Sequence, residues 1–138
     1  MKKTTLKTKE VIDAYKVLNG LKLAKLDNDE VLALLHVKRT MRPIVKTFEE
    51  CVEDSRKAVQ PGNIEEISRK MQANEPLTAD ESAIITEADK RLSELLIAEL
   101  DKEHEVMLDK LTEKTLVKLL KDCELETKDE DLIYFLFE

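Results

Sequence analysis

Apolar residues recur at Val31, Leu34, Leu35, Met41, Val45, Phe48, Val52 and Val59, in a stretch opened by Asp27, Asn28, Asp29 and Glu30. Steps that alternate between three and four put them on one stripe of an α-helix, with an N-terminal cap at Asp27 or Asn28. A second stripe, Ile85, Ala88, Leu92, Leu95 and Leu96, follows a capping box at Thr78-Ala79-Asp80-Glu81 and predicts a helix from Thr78 to about Leu100. Two such stripes predict two long helices that bury them against each other. Pro43 lies inside the first. It removes a backbone donor and leaves the carbonyl of Arg39 without a helical partner. The stripe continues in phase beyond it, so the pattern predicts one kinked helix, not two.

Shorter elements flank this pair. Thr8 to Asn19 reads as a helix capped by Thr8, with Val11, Ile12, Tyr15 and Leu18 on one face and Asn19-Gly20 as its stop. Pro61-Gly62 is a strong turn, followed by a short amphipathic helix through Ile64, Ile67 and Met71. Thr112 to Lys121 turns Leu116, Leu119 and Leu120 inward. Thr127-Lys128-Asp129-Glu130 fits a capping box that opens a last helix from Asp129 to about Phe137. Residues 21–26 and Glu103 to Leu108 lack helical phasing. At the open end of a helical hairpin they are predicted to pair as a small antiparallel ribbon. The expectation is thus a single helical domain over 1–138, mainly α. Its centre is a long kinked antiparallel helical hairpin with short flanking helices and a two-stranded antiparallel ribbon. Lys38 occupies a place on the apolar stripe and is expected to face Glu99, fixing the register.

Composition agrees with long helices and a narrow core. Charged residues make up 38% of the 138 and aromatics 4%, with two glycines and no tryptophan. The net charge of −7 argues against bulk binding to nucleic acid or anionic membrane. Its distribution is uneven, however, with the first sixty residues basic and the rest acidic. Cys51 and Cys123 suggest no disulfide framework, and Met1-Lys2-Lys3 has no apolar run behind it. No stretch is long enough to span a membrane. The expected location is the cytoplasm, with both thiols free.

Candidate chemistry is sparse. His36 and His104 are the only histidines, and Asp101-Lys102-Glu103-His104 is one degenerate half of a carboxylate-bridged di-iron motif. No catalytic residue, metal site or cofactor is expected. Glu49, Glu50 and Glu53 resemble the EExxE half of the all-α nucleoside triphosphate pyrophosphohydrolases, which hold magnesium with carboxylates one helical turn apart. That resemblance implies a magnesium-dependent hydrolase. The family also needs an ExxD on the following helix, where Glu87-Ala88-Asp89 is one residue short; Glu126 to Asp129 has the spacing but lies far along the chain. A solvated acidic helix face is the preferred reading. Lys38, Arg39, Arg42 and Lys46 form a basic ridge, a candidate partner-binding surface. The alternatives there are ion pairing with the opposite helix, or a nucleic-acid role without any aromatic platform.

Over nearly its whole length the chain resembles a family of small proteins of unknown activity from bacteriophages and prophages, including those of gut Bacteroides-type bacteria. The residues are Lys7-Thr8-Lys9-Glu10-Val11-Ile12-Asp13-Ala14-Tyr15, Leu18-Asn19, Lys22-Leu23, Arg42-Pro43 with Phe48-Glu49, and Ala98 to Glu103 leading into Leu108. The capped helix at Thr127 also fits. The family's tryptophan-containing turn is replaced by Cys123-Glu124-Leu125-Glu126. The resemblance implies a phage-derived accessory protein in the bacterial host cell and transfers no catalytic residue. With no complete catalytic set, the chain reads as a non-enzymatic interaction or assembly factor that binds a protein partner or itself.

Overall fold

The computed structural model describes residues 2–137. In chain order the elements are β1 (Lys2–Lys7), α1 (Thr8–Asn19), α2 (Asn28–Val59), α3 (Ile64–Gln72), α4 (Ala79–Leu100), β2 (Glu103–Leu108), α5 (Glu113–Asp122) and α6 (Thr127–Ile133), with a 3-10 turn at Tyr134–Leu136. The fold is mainly α. It divides into two compact units, residues 1–48 with 101–138, and residues 49–100. Lys38 and Glu99 fall one in each unit.

The first unit has a closed core. Val11, Ala14 and Leu18 of α1 meet Leu34, Val37 and Met41 of α2, Leu116 and Leu119 of α5, and Ile133 and Leu136 at the C-terminal end. Val37, fully buried, holds the stripe position between Leu34 and Met41 that the sequence reading gave to Lys38; Lys38 is only half-buried. α2 runs unbroken past Pro43, which faces solvent, where its ring and missing donor disturb no packed neighbour.

β2 has the expected bounds, but its antiparallel partner is β1, not residues 21–26. Leu6 lies opposite His104 and Thr4 opposite Val106. Leu6, Val106 and Leu108 are buried on the face that alternation assigns them, and Thr4 and Thr5 add β-branched residues that suit a strand. Residues 21–26 use their backbone otherwise. Lys22 N–H donates to the Cys123 carbonyl, Leu26 N–H closes a turn on Leu23, and Leu26 plugs the core.

The ribbon is tied to α1 by Thr8. Its N–H donates to the Lys102 carbonyl at 3.0 Å, and its hydroxyl lies 2.7 Å from Nε2 of His104. Thr8 is therefore a buried clamp and not the expected cap; the Lys7 N–H donates instead to the carboxylate of Glu10. Thr112 caps α5, accepting from the Thr115 N–H. The capping box at Thr127 to Glu130 does not form. α6 begins at Thr127, and the Glu126 carbonyl accepts the Asp129 N–H at 2.9 Å. The preceding turn enters through Glu124 in a left-handed conformation, φ 61°, with Leu125 N–H reaching back to the Leu119 carbonyl. The chain end is pinned by the Leu111 N–H on the Leu136 carbonyl at 2.7 Å.

The second unit is built differently. Its stripe residues Val52, Val59, Ile64, Ile85, Ala88, Leu92 and Leu96 are all only half-buried. The buried side chains are Ile67 of α3 and Glu81 of α4. Glu81 closes the predicted capping box: the Thr78 N–H donates to its carboxylate at 3.0 Å, and its own N–H donates to the Thr78 hydroxyl at 3.1 Å. Lys70 of α3 adds an ion pair at 2.8 Å. That pair, followed by the Thr78 N–H, holds the Glu81 carboxyl below its ordinary value.

Candidate functional surfaces

The basic ridge lies on α2 within the first unit. Spacings of three and four bring Lys38, Arg39, Arg42 and Lys46 to neighbouring rows, with Lys38 half-buried and the others exposed. Within this unit, no described carboxylate comes within ion-pair distance of any of the four. An aromatic does reach the ridge, which the sequence reading did not foresee. Tyr15 of α1 packs its ring against the core and points its hydroxyl at Nε of Arg42, which donates at 3.3 Å. The Arg42 hydrogen bond is the main reason the phenol sits below its ordinary pKa; burial opposes it, and the charge of Lys38 adds to it. The signal was α1's own periodicity, since a tyrosine between Val11 and Leu18 on the core face must bring its tip out somewhere.

Glu49, Glu50 and Glu53 are exposed on α2. Glu53 lies 3.6 Å from Arg56 and 3.8 Å from Lys57. Glu126, from the distant matching pair, belongs to the other unit and pairs with Lys128 at 3.1 Å. Among the described residues, no three or more His, Cys, Asp or Glu side chains gather so as to hold a metal ion. His36 is exposed, while His104 is engaged by Thr8. Cys51 is half-buried, with its sulfur 3.7 Å from the Ser55 hydroxyl. Burial pushes the Cys123 thiol up, away from the thiolate form that makes cysteine reactive.

One polar cluster escaped the sequence reading altogether. Glu30, expected only as a favourable charge in the first turn of α2, receives the Thr115 hydroxyl and Lys118 Nζ of α5, each at 2.8 Å, and the Asp27 N–H at 3.2 Å. Its carboxyl is held down to about 2, chiefly by Lys118 and Thr115. This cluster pins α2 to α5.

The second unit offers apolar surface. A groove of about 290 Å³ runs between the last turns of α2, the start of α3 and α4, lined by Val59, Pro61, Ile64, Ile85, Ala88 and Leu92. Glu53, Arg56, Lys57 and Asp89 form its rim. Ala88 and Val59 also line a second, shallower groove beside Ile84. Further apolar side chains stand in solvent: Met71 is 57% exposed, Ile84 39%, Leu95 44% and Ile97 58%. Residues 49–100 carry thirteen acidic and six basic side chains, a formal −7 equal to that of the whole chain. The first unit is therefore formally neutral.

No helix among the described residues is long and apolar enough to cross a membrane. Compared with known protein families, with characterised proteins and with solved structures, the chain finds no match.

Proposed function

We propose that this is an accessory protein of phage or prophage origin that acts in the host cell by binding other proteins, without a catalytic step of its own. Its second unit is the docking part. The observation that carries this reading is the contrast in burial. Both units leave some large apolar side chains in water, Leu32, Met107, Val117, Leu132 and Tyr134 in the first and Met71, Ile84, Leu95 and Ile97 in the second, but the first encloses a core of buried apolar residues whereas the second buries only Ile67 and Glu81. Exposed apolar area costs about 25 cal/mol per Å², and contiguous patches of it mark association surfaces. The origin rests on the sequence resemblance. The hydrolase reading lacks comparable support, because among the described residues no carboxylates gather with Glu49, Glu50 and Glu53 to share a cation. The ridge and Tyr15 favour a second reading, in which an acidic partner, nucleic acid among them, binds the first unit.

One experiment separates these readings. The tagged chain is passed through lysate of infected host cells, with and without nuclease. A second sample carries Met71→Gln, Ile84→Gln, Leu95→Gln and Ile97→Gln together. The wild type is expected to retain a protein partner, or to elute as an oligomer, after nuclease treatment. The polar variant is expected to keep its helical content and lose the partner. Capture that disappears with nuclease favours the ridge instead. A strictly monomeric wild type that retains nothing contradicts the proposal.

A further inference from the structure

We infer that Tyr15, Lys38 and Arg42 form a seat for a phosphate group, free or carried on a nucleotide. This rests on the second reading given above to the ridge and names the group that binds there. It is independent of the docking role proposed for residues 49–100.

The hydrogen bonds come first. Arg42 uses its Nε–H on the phenol oxygen of Tyr15 at 3.3 Å. A guanidinium carries five N–H donors and no acceptor, so four donors remain, all on its two Nη atoms. The phenol oxygen accepts from Arg42, which leaves the Tyr15 O–H to donate elsewhere. Lys38, one helical turn before Arg42, adds three ammonium N–H donors. Arg42 does most to lower the phenol; Asn19, one turn on in α1, acts in the same direction as a further donor, and the charge of Lys38 reaches it too. Among the described residues, no carboxylate or carbonyl accepts from these remaining donors. A cluster of donors with no acceptor among them is completed by an anion.

The arrangement then selects the anion. A carboxylate offers two oxygens in one plane, which a single arginine fork can satisfy. Here the donors come from two helices, Tyr15 from α1 and both Lys38 and Arg42 from α2. A phosphate monoester offers three terminal oxygens spread over a tetrahedron, one for each donor group, and carries about −1.5 to −2 charges at pH 7. Arg39 and Lys46, exposed on neighbouring rows of α2, add to the positive field around the seat. The Tyr15 ring packs against the core, so its hydroxyl is in position before the anion arrives.

For the test, inorganic phosphate and thymidine monophosphate are titrated separately into the full chain at constant ionic strength. Binding is read by NMR from the amide shifts of residues 15 and 42. Both probes are expected to bind. Equal affinities show that the phosphate alone is held, and tighter binding of the nucleotide names a nucleotide as its source. Tyr15→Phe keeps the packed ring and removes only the hydroxyl; it is expected to weaken phosphate binding about fivefold. Arg42→Gln is expected to weaken it about tenfold or more, the scale of charge-assisted hydrogen bonds. Lys114 serves as the control cation. It is exposed and shares a shallow recess with Asp29 and Glu30 at the start of α2. Glu30 lies about 18 Å along the helix from Arg42. Lys114→Gln is expected to leave phosphate binding unchanged.

Unchanged affinity in Tyr15→Phe or in Arg42→Gln overturns the inference. So does a loss in Lys114→Gln as large as that in Arg42→Gln, since diffuse charge would then explain the attraction. Acetate that binds as tightly as phosphate at the same positions overturns the choice of anion and points to a carboxylate of an acidic protein. If neither probe moves either amide while capture from lysate disappears with nuclease, the seat falls and the ridge reading stands. If neither probe binds and capture survives nuclease, both fall.

Discussion

Leu34→Ala is expected to lower the unfolding free energy by about 3 kcal/mol, whereas Leu95→Ala is expected to change it by less than about 0.5 kcal/mol. Both leucines sit on long helices, and both belong to stripes that the sequence marks as apolar. Leu34 is 1% exposed and packs in the closed core of the first unit. Truncation there loses transfer free energy and leaves a cavity that close-packed neighbours refill only in part. Leu95 is 44% exposed, so truncation removes little that folding had buried. Urea unfolding of the two variants, with matched slopes, measures the difference directly. Equal losses would mean that Leu95 is as well packed as Leu34.

Glu30→Gln is expected to cost about 2 kcal/mol at pH 7 and only a few tenths at pH 2. Lys118 and Thr115 hold the Glu30 carboxyl at about 2 instead of 4.5. At full value such a shift corresponds to ~3 kcal/mol. The side chains of Glu30 and Lys118 remain 15% and 26% exposed, and solvent screening trims the figure to about 2 kcal/mol. The sign follows from the direction of the shift. A carboxyl whose pKa is depressed on folding stabilises the chain fully above its unfolded value. That stability drains away as pH falls from about 4.5 towards 2. Chemical unfolding of wild type and variant at a series of pH values should show the two stabilities converging in acid. A gap that stays constant from pH 7 to pH 2 would show that the Glu30 charge contributes nothing.

The long helices were legible because independent signals agreed. For α2, acidic residues in the first turn and an uninterrupted stripe gave Asn28 to Val59 despite Pro43. For α4, the box at Thr78 and Glu81 forms as read. The ribbon was half legible. Glu103 to Leu108 stood out by its lost phasing, but Lys2–Lys7 holds a single apolar residue, Leu6, so local pattern pointed to the alternating residues 21–26 instead. The choice was made by tertiary bonds, from Thr8 to Lys102 and from Lys22 to Cys123. The end of the chain was misread because Thr127 and Glu130 have the spacing of a box, while the backbone of Glu126 already supplies the cap.

The candidate surfaces show the limit more clearly. The ridge residues were legible from spacing alone, yet Tyr15 joins them from a helix 27 positions away. Glu30 looked like an ordinary first-turn acid, and its partners come from α5. Periodicity says which face of a helix is apolar. It does not say how completely a neighbour covers that face, so the half-open seam of the second unit has the same written pattern as the closed core of the first.

On the proposed reading, the first unit is held by a closed core while the second keeps a part-covered apolar seam for a partner. Native-state hydrogen exchange of the free protein tests it most directly, by the free energy of opening at each amide. Amides of α1, α5 and the core half of α2 should exchange only near the global limit, and those of α3 and α4 through much cheaper openings. Uniform protection along the chain, with α4 as slow as α1, would contradict it.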